Sequence, residues 1–329
     1  MAAANERMGA METVSRRDWL GVAGGLTALA AVAGSEIRGP GVASAQPRAV
    51  DGLIASLKAA RTFDLSFTWN EQVPVLGLNP PYSFALNRTH KMTHEIFGQV
   101  PGSRVSWASE IMYFSGQHGA PTIDAIGHIG RDLKLHGGVD AVAATSTPGG
   151  IGNNLGIESF PLDLMVNRAV FLDVARHVAG GAGDPLPPGF EITSRHLDET
   201  IAAHGVDVRK GDSLLIRTGW GQLFGKDNAK YLGEQSPGPG QDAARWIIAK
   251  GVRLAGNDTA TFEKRPAAYG KELFSVHMML LADNGIYIVE NLNLEPLSAG
   301  KAYVVVLVVT PLKVQGASGS PLRAIALAP

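Results

Sequence analysis

Short apolar runs separated by helical segments limit what this chain can fold into. Ala169-Val170-Phe171-Leu172, Leu214-Leu215-Ile216, Tyr287-Ile288-Val289 and Val304 to Val309 are β-branched or aromatic-rich and carry no charge. They lie in expected strands over 168–174, 213–218, 286–290 and 303–309, with a further one over 252–256. Helical spacing separates some of them. His196 to His204 stops at Gly205. Gln241 to Lys250 places Ala244, Ile247 and Ile248 on one face and stops at Gly251. Strands alternating with helices make an α/β domain with a mixed sheet. Toward the N-terminus, Leu53, Ile54 and Leu57 give a short amphipathic helix over 50–60. Phe63 to Phe67 and Glu110 to Phe114 are strand candidates. Gly and Pro make loops of 73–83, 180–188 and 233–240.

The first 45 residues have a different character. Ser15-Arg16-Arg17-Asp18-Trp19-Leu20 is a twin-arginine pattern, Leu20 to Gly34 is an uncharged Gly/Ala-rich stretch, and Ala43-Ser44-Ala45 is a small-x-small cleavage site. That order is expected of a twin-arginine export signal over 1–45, with the fold in 46–329 and a periplasmic destination. The apolar stretch of about 15 residues is short of the ~20 that span a bilayer, so no membrane association is expected after cleavage. A formal net charge of −1 over 329 residues leaves no electrostatic footprint for nucleic acid or acidic membranes. A small-molecule substrate is the expected partner. With no cysteine in the chain, a metal site must draw on His, Asp and Glu, which suits zinc or manganese.

Such residues concentrate in Gln117-His118-Gly119-Ala120-Pro121-Thr122-Ile123-Asp124-Ala125-Ile126-Gly127-His128, which reads as a Gly/Pro-broken loop with two imidazoles and a carboxylate. His277, after Leu273-Phe274-Ser275-Val276, and Glu290, at the end of Ile286-Tyr287-Ile288-Val289, are further candidates. Each residue also has a plainer reading: His118 a loop histidine, Asp124 a turn former, His128 a hydrogen-bonded structural imidazole, Glu290 a carboxylate paired with a cation. Tyr113, Phe114 and Trp220 are candidate walls of a substrate pocket, with core packing the competing role. Ser115 lacks a nucleophile-elbow setting, and Gly149-Gly150-Ile151-Gly152 lacks the strand-before, helix-after context of a phosphate loop.

The 118–128 string resembles the signature His-x-Gly-Thr-His-x-Asp-x-Pro-x-His of the metal-dependent cyclase family, which includes kynurenine formamidase and isatin hydrolase. Gly156-Ile157-Glu158, Leu215-Ile216-Arg217-Thr218-Gly219-Trp220, Gly256-Asn257-Asp258-Thr259, His277-Met278-Met279-Leu280-Leu281 and Ile288-Val289-Glu290-Asn291-Leu292 extend the resemblance, in family order, over roughly 63–312. The resemblance implies a single α/β domain with a mixed, partly barrel-like sheet flanked by helices, and a homodimer or homotetramer. It implies His118, Asp124, His277 and Glu290 as ligands of one divalent metal, or of two with Asp124 bridging. His128 would be the general acid/base beside a metal-bound hydroxide that attacks an amide, cyclic amide or lactone carbonyl.

The chain departs from the signature. Ala120-Pro121 stands for Gly-Thr, Ile126 for Pro, and Thr122 for the middle His. A threonine hydroxyl is a weak neutral ligand, and is expected instead to satisfy loop backbone or to bond metal-bound water. Three readings therefore stand: a hydrolase with one metal held by fewer ligands, a catalytically inactive periplasmic binding protein of the same fold, and a metal-dependent lyase or cyclase.

Overall fold

The apolar runs form the inner strands of one mixed sheet. The structure, a computed structural model, describes residues 45–329 except 78, 147 and 271. The expected export signal lies outside the described residues, apart from Ala45, where a helix over Ala45–Ala59 begins. Residues 55–329 form one compact unit. Its main sheet has nine strands: β1 (Arg61–Asp64), β2 (Thr122–Asp124), β3 (Val166–Leu172), β4 (Ser213–Ile216), β5 (Leu254–Asn257), β6 (Tyr287–Glu290), β7 (Val304–Val309), β8 (Gly319–Pro321) and β9 (Ala324–Ala328).

The spatial order is β1-β9-β7-β3-β4-β5-β6-β2-β8. The four central strands β3, β4, β5 and β6 run parallel. All other pairings are antiparallel. Strands β4, β5 and β6 are buried along their whole length. A parallel strand covered on both faces reads as a continuous apolar run, which is why these segments stood out in the sequence. The sheet curls into a half-barrel flanked by helices. The helix Ser194–His204 buries Leu197 and ends on Gly205 at φ +64°, the left-handed cap that glycine favours. The helix Gln241–Ala249 buries Ala243, Ala244, Trp246 and Ile247.

Two segments differ from the sequence reading. Thr122–Asp124, expected as loop, is a fully buried strand. Three residues carry no periodicity, and only pairing with β6 and β8 makes them a strand. The expected strand over 63–67 is shifted: β1 runs from Arg61 to Asp64. Glu110 to Phe114 does form a strand, Ser109–Tyr113, but it pairs with Ser83–Arg88 outside the main sheet.

Ligand sites in open α/β sheets lie beyond the carboxyl ends of parallel strands, and here that edge is charged and buried. Asp173 follows β3, Arg217 follows β4, Asp258 follows β5, and Glu290 closes β6. The Arg217 guanidinium donates to Asp173 Oδ1 at 2.7 Å and to both Glu295 oxygens at 2.7 and 2.9 Å. Burial pulls the Asp173 carboxyl up, but the Ser298 hydroxyl and Arg217 outweigh it and hold it below the usual range. Replacing Arg217 with Met should cost about 3–5 kcal/mol, because it removes the buried cation of Asp173 and leaves that carboxylate only the more exposed Arg176, 3.2 Å from Oδ2. Asp173 has a depressed folded pKa, so this stabilisation is present above about pH 4 and is lost as pH falls through the lower folded value. Urea titrations of wild type and Arg217→Met should therefore differ widely at pH 7 and converge in acid.

Candidate metal centre

Register brings the polar residues together. Thr122 pairs with Glu290, and Asp124 with Ile288. Side chains of paired residues, and of residues two apart, share a face. Thr122, Asp124 and Glu290 therefore project from the same side of β2 and β6. His277 reaches this group from a short helix, Ser275–His277, which runs directly into a π-helical turn over Met278–Ala282. Such turns recur at functional sites.

Ligand atoms of Asp124, His277 and Glu290 lie within 4.8 Å of one another, and all three residues are buried. His277 Nε2 is 3.2 Å from Glu290 Oε1 and 3.8 Å from Asp124 Oδ2. Asp124 Oδ2 is buried and accepts no hydrogen bond. Burial pushes the carboxyls of Asp124 and Glu290 up to about 7 each, His277 opposing the rise at both and Asp124 adding to it at Glu290. Two desolvated carboxylates and an imidazole at this spacing fit a divalent cation, whose charge would replace the protons that the carboxyls otherwise retain.

His118 precedes β2 and is half-buried. Its Nδ1 is buried without a hydrogen-bond partner. Burial lowers its pKa, the charge of Glu290 opposes that, and His128 and His277 add to it. His118 thus shares the electrostatic neighbourhood of the group but stands outside the close-set trio. Gly119 beside it is closely packed: a Cβ there would overlap the Trp69 indole ring. His128 follows β2 in a turn, its N–H donating to Ala125 O at 2.9 Å. Burial, then the neighbouring His277, lowers its pKa to about 4. Thr122 is 1% exposed, and its hydroxyl donates to Gln117 O at 2.7 Å. It is thus spent on backbone.

Sequence reasoning missed Glu263. This fully buried carboxylate takes 2.6 and 3.1 Å hydrogen bonds from His277 Nδ1 and His277 N, and a 3.4 Å bond from Val276 N. Burial would lower the pKa of His277, but its hydrogen bonds to Glu263 and Glu290 outweigh that and raise it well above the usual value, so Nε2 carries a proton toward Glu290. A cation replacing that proton would meet the Nε2 lone pair with Nδ1 held as donor to Glu263, the arrangement by which a carboxylate orients a metal-ligating histidine. Two bulky residues, Phe262 (φ +49°) and Phe274 (φ +52°), adopt left-handed backbone beside it. Each costs on the order of 1–3 kcal/mol, a strain concentrated where Glu263 meets His277. In the sequence Glu263 sits before Lys264 and Arg265 and looks like a surface charge.

The three aromatic candidates separate. Tyr113 is 61% exposed. Trp220 is 1% exposed, packs with Val73, Phe224 and Tyr231, and donates from Nε1 to Tyr231 O at 3.2 Å, so it stands in the core. Phe114 lines an apolar cavity of about 450 Å3 together with Trp69, Tyr82, Met112 and Pro321. None of the trio lines that cavity, but Pro321 pairs with Thr122 in register. Two strand spacings, about 10 Å, thus separate Pro321 from Glu290.

The Cyclase family model matches residues 63–264 of this chain. The chain belongs to that family. An isatin hydrolase of Roseibium aggregatum is 31% identical over 146 residues, which are 43% of this chain and 54% of that protein, so the match spans about half of the relative. The crystal structure of a novel cyclase is 29% identical with a TM-score of 0.73, covering 85% of this chain and 92% of that one. Isatin hydrolase A from Ralstonia solanacearum, 21% identical with a TM-score of 0.64, covers 90% of this chain and 100% of its own, a likeness of fold. Family membership and the buried Asp124, His277 and Glu290 support a metal-dependent hydrolase-like enzyme.

Glu263→Gln keeps the shape of the side chain and removes its charge. It should weaken zinc or manganese binding by about 10–100-fold. Isothermal titration at matched pH, alongside an unchanged circular dichroism spectrum, checks this. Unaltered affinity would leave Glu263 a packing residue.

Proposed function

We propose that this chain hydrolyses an amide, a cyclic amide or a lactone, with one divalent zinc or manganese ion held by Asp124, His277 and Glu290, and His118 as a further donor. The observation that carries this reading is the buried trio with a neutral imidazole, His128, in electrostatic reach of it. A bound cation of this kind polarises a carbonyl and lowers the pKa of water. The remaining work belongs to the chain. Glu263 fixes the tautomer and orientation of His277. Asp124 and Glu290 supply the negative charge that retains a cation in a buried site.

His128, pushed down to about 4, is in its base form at neutral pH. It takes a proton from the attacking water as the water oxygen bonds to the carbonyl carbon. It returns that proton to the leaving nitrogen or oxygen as the scissile bond breaks. The aromatic walls of the 450 Å3 cavity suit the apolar body of a substrate. Export to the periplasm by the twin-arginine route is part of the same proposal and is supported by Arg16-Arg17 and the stretch that follows them. Among the described residues, no helix is long and apolar enough to cross a membrane.

His128→Ala should lower turnover of a responsive cyclic amide or lactone by about 10²–10⁴-fold while metal per chain stays unchanged. Protein loaded with zinc or manganese and then dialysed, if it keeps no metal, sinks the hydrolase reading. Metal retention without turnover on any amide or lactone favours a binding protein. Product that gains no oxygen from labelled water points to a lyase. For export, changing Arg16 and Arg17 together to Lys should trap the chain in the cytoplasm, as fractionation would show. Wild type recovered there at full length would refute the route.

A further inference from the structure

The turn that carries His128 is tied at two points to the segment that carries His277. Beyond His128 the chain reverses at Asp132 and Leu133, both in left-handed backbone (φ +48° and +58°). Arg131 and Lys134 exchange backbone hydrogen bonds of 2.9 and 2.8 Å across the reversal. Neither Asp132 nor Leu133 is a glycine, and left-handed backbone costs such residues on the order of 1–3 kcal/mol each. A conformation of that cost persists only where its surroundings hold it, and Arg131 supplies the hold.

The Arg131 guanidinium forks onto the other segment. Nη2 donates to Asp283 Oδ2 at 2.9 Å and Nε to Asp283 Oδ1 at 3.3 Å, while Nη1 bonds Glu272 Oε1. Glu272 precedes His277 in the chain, and Asp283 directly follows the π-helical turn after it. Arg131 therefore grips the segment before and after His277. Glu272 is itself steadied, its Oε2 accepting from Gln241 Nε2 at 3.3 Å. The second tie is His136, whose Nδ1 donates to Ala282 O at 3.0 Å at the end of the same turn. Gly285 leaves room for that ring, which a Cβ would crowd.

His128 has little else to place it. Its backbone N–H bonds Ala125 O, and among the described residues its ring makes no hydrogen bond. Where the imidazole stands follows from where the turn sits. Magnitudes separate placement from stability. Arg131, Glu272 and Asp283 are 35–39% exposed, and ion pairs open to solvent contribute only about 0–1 kcal/mol. A two-pronged arginine–carboxylate contact adds geometric definition that a single pair lacks. Misplacing a reacting group by ~1 Å can cost about 100-fold in rate.

We infer that Arg131 is a positioning residue for His128: by clasping Asp283 and Glu272 it locks the turn behind β2 onto the His277 segment and sets the imidazole against the ion site. This rests on the acid/base role proposed for His128. In metal-loaded protein, Arg131→Met should lower kcat by about 10- to 100-fold on a cyclic amide or lactone that the wild type hydrolyses, with KM and metal per chain unchanged. In a His128→Ala background the same change should cost nothing further, because Arg131 acts through that imidazole.

Amide hydrogen exchange needs no substrate. Over residues 126–130 it should quicken about tenfold in Arg131→Met, and by less in Asp283→Asn, while strands β3 to β6 keep their protection. Unchanged exchange in both variants overturns the inference. So does faster exchange with unchanged kcat, a loss that falls on KM or metal content, or an equal further loss when His128 is already alanine. A wild type that hydrolyses no amide or lactone sinks the hydrolase reading alone, and the exchange comparison still decides whether Arg131 locks the turn.

Discussion

The hydrogen bond from His277 Nδ1 to Glu263 is the constraint on which the site depends. A metal-ligating imidazole is oriented by the hydrogen bond that its other nitrogen donates, and here a fully buried carboxylate accepts it at 2.6 Å. Burying that carboxylate costs several kcal/mol unless it is well bonded. Two backbone N–H groups of the segment carrying His277 complete its bonding. The same three bonds therefore satisfy Glu263, orient His277 and fix the start of the turn that carries it. Left-handed backbone at Phe262 and Phe274 is the conformational cost of closing that arrangement.

The sheet explains why such a site is affordable. Parallel strands buried on both faces supply a rigid apolar floor, while their carboxyl ends collect the charges. Arg217, bound to Asp173 and Glu295, ties the ends of β3 and β4 to the helix Glu295–Gly300 that follows β6. Asp258 is pushed up to about 6 by burial, against the pull of Arg217 and Thr218. Structural ion pairs and the candidate metal group thus share one edge. They differ in their state: the structural carboxylates are saturated with donors, whereas Asp124 Oδ2 and His118 Nδ1 are buried and unbonded.

Thr122 shows how one substitution rearranges this edge. Where the family signature has an imidazole, a smaller side chain turns its hydroxyl to Gln117 O and drops out of the ligand set. The strand itself is kept, because its pairing with β6 and β8 uses backbone groups that no side chain supplies.

Much of this was legible in the sequence. Apolar runs of strand length and glycine stops place the α/β alternation, because burial on both faces leaves a compositional trace. His118, Asp124 and His128 show themselves by spacing within eleven residues. The resemblance added His277 and Glu290 from far along the chain. Three things only the tertiary structure decided. Thr122–Asp124 is a strand because of partners more than 160 residues away. Trp220 is core and Tyr113 exposed because packing, not residue type, sets exposure. Glu263 is buried beneath His277 although its neighbours Lys264 and Arg265 make it look solvated. Local sequence records which face of an element is apolar. It does not record which distant backbone N–H groups a carboxylate will meet, because those contacts exist only once the chain has closed on itself.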